Sequence, residues 1–73
     1  MGFNYSKLSG RIKEKCSTQT QFAQLMGLSE RTVSMKMSGK RDWRQKEIAN
    51  ACLILDIEVE KIPEYFFTVN VQN

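Results

Sequence analysis

The sequence predicts an all-α fold of five short helices, and three observations lead to that prediction. Apolar residues recur at helical spacing along most of the 73-residue chain. Side chains that cap helices precede several of these stretches, and glycines follow some of them. A chain of this length forms one domain with a small core. We therefore expect a single domain over residues 1–73, with a helix–turn–helix at 18–39 and a short β-strand or an extended tail at 65–73.

The helix–turn–helix is the most informative part of the chain. Thr18 can cap one helix, with Gln21 three residues later completing a capping box, and Ser29 can cap the next helix. Gly27 stands between them, where a left-handed backbone ends a helix at little cost to glycine. A connection this short makes two helices cross steeply. The second helix of such a motif commonly enters the DNA major groove.

Three further helices are expected outside this motif. Helix 1 covers about residues 5–15, and helix 4 covers about residues 45–55. The inward stripe of helix 4 consists of Ile48, Ala51, Cys52 and Leu55. Trp43 is placed to pack on the first turn of helix 4, with Glu47 at its third position. A short fifth helix is expected near residues 58–62, ended by Pro63.

The second helix of the motif has two different faces at 100° per residue. Val33 and Met37 lie one turn apart and point inward. The outward positions are Arg31, Ser34, Met35 and Ser38. Four cations follow the helix in the sequence: Lys40, Arg41, Arg44 and Lys46. Together these features favour a helix that reads a DNA groove over one whose polar face is merely solvated.

The charges of the chain are unevenly distributed. Residues 1–46 contain ten lysines and arginines against three acids, a net charge of +7. Residues 47–73 contain one lysine against five acids, a net charge of −4. The positive part suits a polyanion, and the negative part would face away from it. The simpler alternative is two solvated surfaces of opposite sign.

The motif resembles the Cro/C1-type helix–turn–helix of phage repressors, which has the lambda repressor-like fold. The matching positions are Thr18, Gln19, Phe22, Ala23, Gly27, Ser29, Val33 and Gly39. Three further stretches resemble small phage-encoded Cro-like proteins of Gram-positive hosts: FNYSKLSGRIKEK, ERTVSMKMSGK and IPEYFFTVNVQ. Some relatives in that group act as modulators that oppose a repressor. The resemblance covers nearly the whole chain.

This resemblance implies a protein that binds operator DNA, with separate residues for bases and for phosphates. The candidates for reading bases are Ser29, Glu30, Arg31, Ser34 and Met35. Arg31 is the best of these candidates, because a guanidinium matches the O6 and N7 acceptors of guanine. By residue match, Gln19 contacts a phosphate. The other phosphate candidates are Lys36, Ser38, Lys40, Arg41 and Arg44.

Two positions of the motif depart from the family pattern. The position three residues after Val33 is usually a large buried apolar residue, and here it is Lys36. The position before it is usually polar, and here it is Met35. A small rotation of the helix could bury Met35 and expose Lys36. Lys36 would then contact DNA.

The C-terminal segment suggests a dimer. Aromatic and β-branched residues nearly alternate there, as in a strand. A single strand on a helical domain has no partner within the chain, whereas the same strand of a second copy would pair with it. The residues assigned to this homodimer are Phe66, Phe67, Val69 and Val71. The alternative is an extended tail with Phe66 or Phe67 tucked into the monomer core.

The residue types in the sequence argue against several function classes. The chain lacks histidine, metal-ligand clusters and phosphate-binding glycine loops, so we expect no enzyme, no cofactor and no metal. Cys16 and Cys52 are isolated, which is typical of a reducing compartment. With no membrane span or signal peptide, we expect a protein of the bacterial host cytoplasm, associated with the nucleoid.

The sequence therefore favours a sequence-specific phage transcriptional regulator, a Cro-like repressor that binds double-stranded operator DNA. The alternative is a modulator or antirepressor that binds a phage repressor protein and controls the lytic–lysogenic switch by protein contact. The acidic C-terminal part and the Phe-rich end suit that second role.

Overall fold

The computed structural model describes residues 2–69, and within them the chain is all-α, as the sequence predicts. The five α-helices are α1 (Ser6–Cys16), α2 (Gln19–Met26), α3 (Glu30–Met37), α4 (Gln45–Leu55) and α5 (Ile62–Phe66). One turn of 3-10 helix, Val59–Lys61, precedes α5. None of the helices in this part of the chain is long and apolar enough to cross a membrane.

The side-chain caps of α2 and α3 form as predicted, although the capping box with Gln21 does not, because the Thr18 N–H donates to the Cys16 carbonyl instead. Thr18 Oγ1 accepts a hydrogen bond from the Gln21 N–H at 3.1 Å, and Ser29 Oγ accepts one from the Thr32 N–H at 3.1 Å. Gly27 ends α2 at φ +71°, a left-handed backbone that other side chains disfavour. The two helices are thus joined by one short turn and contact each other directly.

One apolar core receives side chains from all five α-helices. Its largest fully buried side chains are Leu8, Ile12, Phe22, Val33, Leu55 and Phe66. The predicted stripe of α4 is confirmed, because three of its four side chains are buried and Ile48 packs partly buried against them. Helix α3 contributes Val33 as its one buried apolar residue. The position of α3 therefore depends on polar contacts as well as on apolar ones.

Arg11 holds α1 against the C-terminal end of α4. Its Nε donates to the Leu55 carbonyl and its Nη2 to the Asp56 carbonyl, both at 2.8 Å. The last carbonyls of a helix have no partner within the helix, so a guanidinium both satisfies them and offsets the negative end of the helix dipole. Nη1 pairs with Glu14 at 2.7 Å. Sequence analysis assigned Arg11 no role.

The C-terminal segment differs from the prediction. Pro63 stands in the first turn of α5 instead of ending a helix. Proline is favoured there because the N–H that it lacks would have no helical partner anyway. The helix runs to Phe66, so the residues expected to begin a strand are helical. Within residues 2–69, β-pairing is limited to one antiparallel bridge between Phe3 and Val69.

These features of the C-terminal segment weaken the evidence for a dimer strand. Phe66 is 1% exposed, so it belongs to the monomer core and its assignment to a dimer contact is wrong. Phe3 gives the C-terminal segment a partner within the chain, which removes the argument from an unpaired strand. Phe67 and Val69 are about half-exposed, and Val71 lies outside the described residues. Dimerisation stays a prediction.

Candidate functional site

The inward face of α3 is partly polar. Val33 is fully buried, as predicted, and Met37 is only partly buried. Lys36 is 4% exposed and occupies the position where an apolar residue is expected. Met35 is partly buried beside it. The rotation that would expose Lys36 has therefore not occurred, and its assignment as a phosphate contact is wrong.

Three contacts hold Lys36 in the interior. Its Nζ pairs with Glu47 Oε1 at 2.8 Å and donates to the Asp42 carbonyl at 2.9 Å. It also lies 5.8 Å from the centre of the Trp43 ring, within range of a cation–π interaction. A lysine stem covers apolar surface while its ammonium reaches polar partners. Lys36 thus ties α3 to the loop that precedes α4 and to the first turn of α4.

Glu47 is the residue of α4 that pairs with Lys36. Besides the lysine, it accepts a hydrogen bond from the Arg44 N–H at 2.8 Å, so its predicted place at the start of the helix is confirmed. Burial alone would raise the pKa of Glu47. The hydrogen bonds from Lys36 and Arg44, together with their charges, outweigh burial and lower the pKa below its ordinary value.

This arrangement predicts how stability responds to acid. A carboxylate whose pKa is lower in the folded state stabilises the fold above its unfolded value of about 4.3, and that contribution is lost as pH falls through the folded value. We expect Glu47→Gln to unfold at lower urea concentration than the native protein at pH 7. The difference in midpoint should shrink below about pH 4. A difference that stays constant from pH 7 to pH 3 would contradict the role of the ionised carboxylate.

The predicted base-reading residues occupy the outer side of α3 and its cap. Glu30, Arg31 and Ser34 are exposed, and Met35 is partly buried. The hydroxyl of Ser29 is exposed but already caps the helix, and it also donates to Thr32 Oγ1 at 2.8 Å. Arg31 is therefore the exposed cation of this face, with Glu30 as its neighbour.

The remaining phosphate candidates do not lie together. A groove of about 880 Å³ brings together Lys40, Arg41 and Arg44, all exposed, with Asp42 and the Lys36–Glu47 pair. Ser38 is exposed, and its hydroxyl donates to the Met35 carbonyl at 3.1 Å. Gln19 is partly exposed and lies apart from this groove, beside the N-terminal segment.

An aromatic cluster next to this region escaped sequence analysis. The Trp43 ring centre lies 5.4 Å from that of Phe66 and 6.5 Å from that of Tyr5. The Phe3 ring centre lies 5.8 Å from that of Phe67, and the two rings meet edge to face. The sequence signals were Trp43, which was expected to pack on the first turn of α4, and the alternative in which Phe66 or Phe67 tucks into the monomer core. The other rings come from both ends of the chain.

Comparisons with known proteins define the family. A family model described as "Protein of unknown function (DUF739)" matches residues 1–69. The chain belongs to this family. A solved structure also matches: the solution structure of the modulator of repression (MOR) of the temperate bacteriophage TP901-1 from Lactococcus lactis. It is 49% identical, with a TM-score of 0.82, and the match covers 99% of this chain and 97% of that chain. No curated protein sequence matches the chain.

These findings sharpen the resemblance drawn from the sequence. The helical fold of this DUF739 protein agrees with that of a small phage protein over nearly its full length. The resemblance to small phage-encoded regulators of Gram-positive hosts agrees with the match, since TP901-1 MOR is such a protein. Membership of the wider Cro/C1-type family is not confirmed by either match and stays a prediction.

Proposed function

We propose that this DUF739 protein is a phage modulator of repression that binds the phage's repressor protein. The observation that carries the proposal is the 49% identity to TP901-1 MOR across almost all of both chains. This reading was the alternative in the sequence analysis, and the match favours it over a Cro-like repressor. The role is regulatory rather than enzymatic, and it is exercised in the cytoplasm of the bacterial host.

The surface of the molecule supports contact with another protein. Phe3, Phe67 and Val69 lie together, and each is between 43% and 49% exposed. Grouped apolar side chains at a surface are typical of protein-binding sites. Asp56, Glu58 and Glu60 are exposed elsewhere on the chain and suit a basic partner. A repressor exposes such a basic surface where it contacts DNA phosphates, and a repressor held there cannot bind its operator.

Operator binding by the protein itself is the second candidate. It is favoured by the short turn between α2 and α3, by the exposed Arg31, and by the cationic groove near α3. In that case Arg31, Glu30 and Ser34 read bases, and a homodimer places two α3 helices about 34 Å apart along the operator. The burial of Lys36 removes one cation from this interface. The candidate therefore rests on fewer positive charges than the sequence suggested.

Mixing the purified protein with the repressor of the same phage separates the two candidates. We expect the two proteins to co-elute as a complex in size-exclusion chromatography and to bind with measurable heat in calorimetry. A variant with Arg31→Ala serves as the control for DNA reading. If the protein is instead an operator reader, Arg31→Ala should cost about 1–3 kcal/mol of discrimination at one base pair. Absence of a complex, combined with salt-sensitive binding to operator DNA alone, would overturn the proposal.

A further inference from the structure

A small cavity lies between the N-terminal segment, the loop before α4 and the end of α5. Its volume is about 270 Å³. The residues that line it are Phe3, Tyr5, Asp42, Trp43, Ile48, Phe66 and Phe67. Five of these seven side chains are aromatic, and Asp42 is the one charged residue among them. The cavity adjoins the groove considered for DNA, and Asp42 lines both of them.

Aromatic walls of this kind suit a cation. The face of an aromatic ring is negative and attracts an ammonium or a guanidinium within about 6 Å of its centre. Phe66 is buried at the inner side, whereas Phe3 and Phe67 are 43% and 49% exposed and stand at the rim. A side chain entering from solvent therefore meets rings on more than one side.

The carboxylate of Asp42 adds a negative charge to this cavity. The pKa of Tyr5 is raised first by burial and second by the charge of Asp42, so that charge acts on a residue of the cavity wall. Among residues 2–69, the carboxylate of Asp42 has no ion-pair partner, since Lys36 pairs with Glu47 and takes only the Asp42 backbone carbonyl. Lys40, Arg41 and Arg44 line the adjoining groove instead of the cavity.

We propose that this cavity captures an arginine side chain from the DNA-contacting surface of the phage repressor. This inference rests on the proposed function and names the recognition element within it. Arginine fits best because its planar guanidinium can stack on a ring and pair with a carboxylate at the same time. The repressor uses such side chains to bind phosphates and bases. An arginine held in the cavity is withdrawn from the operator.

The test compares repressor binding by the native protein with that of two isosteric variants. Asp42→Asn removes the charge in the cavity and keeps the backbone carbonyl that Lys36 contacts. Glu14→Gln removes an exposed charge that lies outside the cavity and outside every surface considered for binding. We expect Asp42→Asn to weaken repressor binding about tenfold or more, because the arginine loses its charge partner while the aromatic walls stay in place. Glu14→Gln should change repressor binding less than threefold. Unchanged urea midpoints would establish that both variants are folded.

A double-mutant cycle identifies the partner side chain. Each arginine on the DNA-contacting surface of the repressor is replaced by alanine and measured against the native protein and against Asp42→Asn. One of these replacements should weaken binding to the native protein and have little further effect with Asp42→Asn. If the native protein binds the repressor but Asp42→Asn binds equally well, the cavity proposal is wrong and the proposed function stands. If the native protein does not bind the repressor, both are overturned.

Discussion

Replacing Phe66 by alanine is expected to lower the free energy of unfolding by about 3–5 kcal/mol. Its ring is 1% exposed and packs edge to face on Trp43 at 5.4 Å, so truncation removes buried apolar surface and leaves a cavity. Phe67→Ala should cost only about 1 kcal/mol, because that ring is 49% exposed and its main aromatic contact is Phe3. The measurement is the midpoint of urea unfolding at an unchanged slope.

The pair of neighbouring phenylalanines also tests the dimer prediction. If Phe66 belonged to an interface between two copies, the midpoint of the native protein would rise with protein concentration. A monomeric protein would have a midpoint that does not depend on concentration, whereas a dimer held by Phe67 and Val69 would have a rising midpoint even with Phe66 in the core. The assignment of Phe66 to the core would be contradicted if Phe66→Ala and Phe67→Ala lowered the free energy of unfolding equally, or if Phe67→Ala lowered it more.

Replacing Lys36 by alanine is expected to cost about 3 kcal/mol of unfolding free energy. The change leaves Glu47 with a partly buried charge and the Asp42 carbonyl without its donor, and it uncovers the Trp43 ring. The loss is a large part of the stability of a chain this size. Urea unfolding of the variant at pH 7, compared with the native protein, measures it.

A matched lysine on the same side of the molecule provides the control for this change. Lys40 is exposed, so Lys40→Ala should shift the free energy of unfolding by no more than about 0.5 kcal/mol. The double variant Lys36→Met with Glu47→Leu replaces the ion pair by apolar groups and should recover most of the loss. If Lys36→Ala and Lys40→Ala were equally stable, Lys36 would be a surface lysine, as the sequence first suggested.

Local interactions explain what the sequence could predict. The caps at Thr18 and Ser29 and the left-handed turn at Gly27 depend on residues within three positions of one another, so their pattern is visible in the chain. The inward stripe of α4 depends only on helical periodicity. For the same reason the bounds of α4 agree with the prediction.

The environment of Lys36 could not be predicted in the same way. Its partners, Glu47 and the Asp42 carbonyl, lie beyond the loop after α3, and only the packing of α3 against α4 brings them together. The sequence did contain one signal of this environment: Lys36 stands at an apolar position, and Trp43 and Glu47 follow it in the chain. The family pattern has a buried residue at this position, and the charge of the lysine led instead to the expectation that it is exposed.

The C-terminal part and the aromatic cavity also depend on tertiary packing that the sequence pattern does not show. Phe66 and Phe67 are adjacent and similar in chemistry. Phe66, the last residue of α5, is buried in the core, whereas Phe67 follows the helix and is half-exposed. The cavity combines residues 3–5, 42–48 and 66–67, and no short-range pattern connects them. The same holds for Arg11, whose partners are backbone carbonyls at the end of α4.

A band-shift experiment on the operator of the phage repressor shows whether this protein acts on the repressor or on the DNA. Labelled operator DNA is incubated with repressor, and the DUF739 protein is then added in increasing amounts at a fixed salt concentration. We expect that the protein alone shifts no DNA and that it alters or abolishes the repressor–operator band. A repressor band that is unaffected, together with a salt-sensitive band formed by the protein alone, would contradict the proposed function.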